Sequence, residues 1–169
     1  ASYIIAAVMI APALVQVGVA PVAAHMFIFY YAVLSEVSPP TALSPFAAAA
    51  LTGGNAFRTM MLTWKYTLPA FVVPFVFTLH PSGMGLLMQS PLATVIWTTL
   101  TAAAGVAAFA AAFGGWIRRA ATGLERIGAG IAGGLLIAPS VGADIAGGIL
   151  ALLVGLVHLA RLKRTLPAR

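Results

Sequence analysis

Tyr30-Tyr31-Ala32-Val33-Leu34-Ser35-Glu36-Val37-Ser38-Pro39-Pro40-Thr41-Ala42-Leu43 interrupts an otherwise apolar run that extends from Pro21 to Gly53. The run is too long and too apolar for an ordinary soluble helix. Two consecutive prolines break it at its centre, with Ser35 and Glu36 just ahead of the break. In hydrocarbon every backbone N–H and C=O needs a partner, so an unwound stretch persists only where protein packs around it or it lines a cavity. Secondary transporters use such breaks to hold ions and substrate near the bilayer midplane. The stretch therefore points to an all-α membrane protein with a discontinuous helix. A plain proline kink is the other reading that the break alone allows.

The rest of the composition agrees. Of 169 residues, 62% are hydrophobic and 7% charged, and mean hydropathy is +1.04. Soluble domains carry about a quarter charged residues. The net charge of +6 comes from Arg58, Lys65, Arg118, Arg119, Arg126, Arg161, Lys163, Arg164 and Arg169. These stand between apolar segments and at the C-terminus, where they set topology rather than form a nucleic-acid surface. There is no cysteine, which excludes disulfides and thiolate chemistry. No HExxH, GxSxG or P-loop pattern is present, and the chain is not read as an enzyme. It opens without Met, directly in an apolar stretch, and lacks a charged n-region, so it reads as the C-terminal part of something longer.

Residues 1–17 are apolar and near the lower length limit for a span, so they fit a short span or one arm of a re-entrant hairpin. Residues 18–21 form a turn. Residues 21–37 and 41–51 are the two halves of the broken element. Residues 56–79 and 92–116 are spans, and residues 123–138 and 142–159 are two more apolar stretches rich in glycine. Placing the C-terminal tail in the cytoplasm puts every basic cluster on that side, as the positive-inside rule asks, with the His80-Pro81 turn outside. Residues 123–138 are short enough to span or to re-enter.

Pro39 and Pro40 supply no N–H, which frees the carbonyls of Ser35 and Glu36 from helical pairing. Ser38 suits the N-cap of the second half-helix. Carbonyls together with Ser35, Ser38 and Thr41 hydroxyls make a hard-oxygen cradle for a small cation such as Na⁺. The carboxylate of Glu36 offers a route to H⁺ coupling. Other polar residues have plainer readings: His25 an interface or packing histidine, His158 a snorkelling residue, Asp144 a helix-start residue, Glu125 an interfacial partner of Arg126 or Arg118. The aromatic run 27–31 reads as packing or lipid contact. Trp64 with Lys65 reads as a cytoplasmic-side anchor or a surface against the rest of the protein.

His25-Met26-Phe27-Ile28-Phe29-Tyr30-Tyr31, followed by Glu36-Val37-Ser38-Pro39-Pro40-Thr41-Ala42-Leu43, resembles the C-terminal part of the large membrane subunit of tripartite ATP-independent periplasmic (TRAP) transporters. Pro74-Phe75-Val76-Phe77 leading to His80-Pro81 resembles that family's P-F-x-F…N-P. Leu124-Glu125-Arg126 and Leu136-Ile137-Ala138-Pro139 resemble the extra C-terminal helices of fused small/large members. Ser38 stands where Thr is usual, and Thr41 where Val is usual.

The resemblance implies an elevator-type fold, a multi-span helical bundle with a broken helix and a re-entrant hairpin arm. Residues 1–90 would then belong to the transport domain and residues 91–169 to added transmembrane helices. It also implies an inner-membrane permease that imports small organic acids such as dicarboxylates by Na⁺ symport, with no other cofactor. Its partners would be a periplasmic substrate-binding protein and the remainder of the permease, including the small-subunit region. Carried over residue by residue, Ser35, Glu36, Ser38, Pro39, Pro40 and Thr41 would line the ion and substrate site, facing a hairpin tip that precedes Ala1. Another broken-helix transporter or channel coupled to H⁺ through Glu36, and a non-transporting membrane scaffold, remain the alternatives.

Overall fold

The computed structural model describes residues 2–138 and 140–165, with side chains described as far as residue 162. Ala1, Pro139 and Arg169, and the side chains of Lys163 and Arg164, lie outside that description. Among the described residues the chain is helical and has no strand. The helices are α1 (Ser2–Gln16), α2 (Pro21–Leu34), α3 (Leu43–Thr52), α4 (Ala56–Phe71), α5 (Val73–Leu79), α6 (Leu92–Gly114), α7 (Gly123–Ile137) and α8 (Val141–Thr165). Tighter 3-10 turns occupy Ser35–Val37 and Pro81–Leu87. Among the described residues, three segments are long and apolar enough to cross a membrane: Ala56–Leu79, Leu92–Gly114 and Val141–Leu162. Large apolar side chains such as Leu100, Leu152 and Leu156 face outward along them, which suits hydrocarbon as the surrounding solvent.

Local chemistry accounts for the boundaries. Gly18, at φ 97, turns α1 back onto α2 in a conformation that glycine adopts without steric cost. Pro21 opens α2, where its missing N–H costs nothing. The Asn55 side chain accepts from the Arg58 N–H at 2.9 Å and starts α4. The span Ala56–Leu79 is two helices that meet at Val72, just ahead of Pro74. Gly115, at φ 71, stops α6 two residues earlier than the sequence suggests. Thr122 and Glu125 form a reciprocal capping box at the start of α7.

Helices α6, α7 and α8 approach closely because glycines face one another's backbones. A Cβ on Gly133 would lie 3.0 Å from the Gly105 carbonyl, and one on Gly147 would lie 3.0 Å from the Ala132 carbonyl. Small residues serve this role in membranes, where burial of apolar surface no longer drives association. The packing also sorts the polar groups. Tyr66 of α4 stands over Gly114 at the C-terminal end of α6. Thr94 and Thr98, at the other end of α6, stand over Gly85. Arg58, Lys65, Arg118, Arg119, Arg126 and Arg161 therefore gather toward one end, while His80 and Asp144 stand at the other.

Candidate functional site

Helix α2 stops one turn ahead of the prolines. The chain tightens at Ser35–Val37, extends at Ser38 (φ −119, ψ 151) and enters α3 through Ala42 in the left-handed region (φ 45, ψ 38). The Pro39–Pro40 peptide is cis. Hydroxyls replace the missing N–H donors. Thr41 Oγ1 donates to the Ser35 carbonyl and lies 3.5 Å from the Ser38 carbonyl. Ser35 Oγ donates to the Ala32 carbonyl at 2.7 Å, and Ser38 Oγ to the Leu34 carbonyl at 3.0 Å. Each hydroxyl proton is spent on the main chain, so the oxygens keep lone pairs and have no proton left to offer.

Two sequence expectations are corrected here. Ser38 does not cap the second half-helix. Helix α3 begins at Leu43 with Ala42 in the cap position and no side-chain cap, because the extended Ser38 turns its hydroxyl back to Leu34. The Ser35 carbonyl is not free either, since the Thr41 hydroxyl takes the place of the N–H that Pro39 lacks.

A cavity of about 360 Å³ lies between α1 and α2 and meets Ser2, Tyr31, Ser35 and Thr41, with Ile10 and Phe27 among its apolar walls. Of the residues singled out in the sequence, Ser35 and Thr41 share this cavity. Ser38 is buried and does not line it. Glu36, Pro39 and Pro40 are exposed beside it.

A second break abuts the first. Phe75 N–H donates to the Val72 carbonyl at 3.2 Å rather than to Phe71 one residue earlier. The Phe71 carbonyl accepts instead from the Tyr31 hydroxyl at 2.6 Å. Phe71 lies inside the apolar segment Ala56–Leu79, so the loop one turn beyond Tyr31 stands beside that segment rather than beyond its end. Rings of Phe27, Tyr31, Phe71 and Phe75 pack around this junction, with Phe27–Tyr31 centroids 4.8 Å apart. Packing is what the sequence suggests for this run. The bond from Tyr31 to the second break is an addition, and 40 residues of separation leave no local signal for it.

The remaining polar residues are held away from this cavity. Tyr3 Oη and His25 Nδ1 are 2.9 Å apart, linking α1 to α2. Glu125 is 4% exposed; Arg161 Nη1 donates to both of its oxygens at 2.6 Å, and Thr122 N–H donates at 2.7 Å. Burial alone raises the Glu125 pKa, but hydrogen bonds from Arg161 and Thr122, with His158 close by, outweigh it and hold the carboxyl at about 2. Its partner is thus Arg161 rather than Arg126, whose Nε donates to the Ala112 carbonyl at 2.8 Å. His158 does not snorkel. It is 1% exposed, with Nδ1 3.4 Å from Glu125 and Nε2 accepting from Arg118 N–H at 3.4 Å. The Thr122-x-x-Glu125 spacing is a readable capping signature; the link to Arg161 is not local. Asp144 lies in the first turn of α8, as a helix-start residue does, and also accepts from Trp97 Nε1 at 2.8 Å.

These features define a polytopic helical membrane protein built around a discontinuous helix. Residues 1–83, which contain both breaks, match the family model of the DctM component of the tripartite ATP-independent periplasmic transporters. Residues 1–83 are thus similar to a transporter permease component, a family that is not an enzyme class. No curated protein and no solved structure matches it.

Proposed function

We propose that this chain is the C-terminal part of a TRAP permease importing small organic acids, such as dicarboxylates, across a bacterial inner membrane by Na⁺ symport. A periplasmic binding protein delivers the substrate, and the rest of the permease, including the small-subunit region, completes the path. The observation that carries this reading is the pair of hydroxyls, Ser35 and Thr41, on one cavity wall beside a helix break that packs on the apolar segment Ala56–Leu79. Both oxygens retain lone pairs for a cation, and α1 closes the opposite wall as a hairpin arm would. Residues 91–169 are read as the added helices of a fused permease, an assignment supported by the end of the family match at residue 83. The tail is placed in the cytoplasm with the basic end of the bundle.

Uptake into proteoliposomes by the full-length permease with its binding protein tests this. Wild-type uptake of a labelled dicarboxylate is expected to require an inward Na⁺ gradient. Ser35→Ala and Thr41→Ala are each expected to raise the Na⁺ requirement about tenfold at unchanged expression. Unchanged Na⁺ dependence in both variants removes this site from the coupling path. Uptake that follows a proton gradient, ignores Na⁺ and is lost in Glu36→Gln replaces the reading with H⁺ coupling. Absence of uptake with any binding-protein partner leaves a scaffold.

A further inference from the structure

A second cavity, of about 550 Å³, with a mainly apolar wall that carries a few polar groups, lies at the end of the molecule away from the basic cluster, among the Pro81–Leu87 turn, α6 and the start of α8. Its volume falls within the range of small-molecule sites, about 300–1,000 Å³. Asp144 lines it and is 9% exposed. One carboxylate oxygen, Oδ2, accepts from the Trp97 indole; the other, Oδ1, is buried and accepts no hydrogen bond. A buried carboxylate is costly until a cation and hydrogen-bond donors satisfy both oxygens. No Lys or Arg is among the residues lining the cavity.

Two of the surrounding threonine hydroxyls donate to the main chain. Thr98 donates to the Ser82 carbonyl at 3.4 Å and Thr101 to the Thr98 carbonyl at 3.2 Å. Ser140 Oγ accepts from the Ala143 N–H at 3.3 Å, and His80 Nδ1 shares a hydrogen bond with Ser82 Oγ at 2.8 Å. The wall thus offers several lone pairs and one carboxylate, with no Lys or Arg to pair it. Its complement is a cation that itself donates several hydrogen bonds. A divalent calcium ion takes about six to eight oxygens, which one carboxylate in a cavity this wide does not gather. No cluster of three His, Cys, Asp or Glu occurs among the described residues. A primary ammonium group brings three N–H donors, and the half-exposed Trp97 indole adds a face that attracts cations.

We infer that the Asp144 cavity binds a primary ammonium group, carried either by a small free amine or by an aminophospholipid headgroup. The ammonium engages the Asp144 carboxylate, which must turn to bring the buried Oδ1 to the cavity, with the threonine and Ser140 oxygens as further acceptors. Val76, His80 and Ser82 come from the family-matched segment and the other lining residues from beyond it, so an occupant ties the two parts together.

The test titrates the purified full chain in detergent with n-butylammonium chloride at constant ionic strength, read by calorimetry and tryptophan fluorescence. Saturable binding is expected in the wild type, with the fluorescence change lost in Trp97→Phe. Affinity is expected to fall about tenfold or more in Asp144→Asn and for tetramethylammonium, which has no N–H. Should Asp144→Asn fail to fold, Asp144→Glu and Ser140→Ala carry the same test, each with weakened binding. Equal affinity in the Asp144 variant and wild type, equal affinity for tetramethylammonium, or no saturable binding at all overturns the proposal. Competition separates the two sources. Displacement by phosphatidylethanolamine but not phosphatidylcholine identifies a lipid headgroup, and displacement by neither identifies a free amine.

Discussion

Glu36 and Glu125 are both carboxylates in the first turn of a helical segment, and they are treated in opposite ways. Glu36 is exposed beside a helix break where hydroxyls stand in for lost N–H donors and a cavity opens alongside. Glu125 is buried and held by Arg161, Thr122 and His158 at the junction of α7 and α8. Around the break, polar oxygens are left with spare lone pairs facing a space that something else can enter. At the Glu125 end of the α6–α8 bundle charge is used up internally, and glycines bring the backbones together. The contrast separates polarity kept for a ligand from polarity spent on cohesion.

The sharpest way to break the comparison is Glu125→Ala, expected to destabilise the bundle by about 3 kcal/mol, since removing one partner of a buried ion pair strands the other. Arg161 is partly exposed and can recover some water, which keeps the loss near the lower end of that range. Melting of the purified protein in detergent measures it. Acid titration checks the same interaction. The Glu125 pKa is lowered from 4.5 to about 2, so its stabilisation is fully present above pH 4.5 and is lost as pH falls from 4.5 toward 2. Melting temperature should drop across that window in wild type and change less in Glu125→Gln.

Gly133→Val tests cohesion by close approach. Its Cβ would meet Phe109 at 2.9 Å and the Gly105 carbonyl at 3.0 Å, and overpacking of this kind costs about 2 kcal/mol. Ala42 probes the break itself. It is fully buried at φ 45, so Ala42→Val should cost about 1–2 kcal/mol, whereas Ala42→Gly should hold or raise stability by up to about 1 kcal/mol. The smallest effect is expected from Tyr31→Phe, about 1 kcal/mol for one lost hydrogen bond. Its signature is accelerated amide exchange around Phe71 with the aromatic packing intact.

The sequence exposes what depends on neighbours along the chain. The double proline marks the interruption between α2 and α3, and Gly115 and Thr122 sit where α6 ends and α7 begins. The apolar run lengths anticipate the three long segments. Contacts between distant residues are not legible in this way. Tyr31 to Phe71, Trp97 to Asp144 and Glu125 to Arg161 are 40, 47 and 36 residues apart, and each is fixed by which helix faces pack. Ser38 illustrates a local misreading. A serine before a helix is a natural cap only if the helix starts at once, and here the chain stays extended and then turns left-handed before α3 begins.

The bond from Tyr31 to Phe71 sets a mechanical condition on any movement. Stripping the Phe71 carbonyl of its donor costs about 1 kcal/mol, so sliding of α2 past the bend between α4 and α5 is disfavoured unless water or another donor reaches Phe71. One phenolic proton therefore draws a boundary. The favoured displacement of the broken helix carries the bend along as a single load, with relative motion taken up at joints elsewhere in the protein.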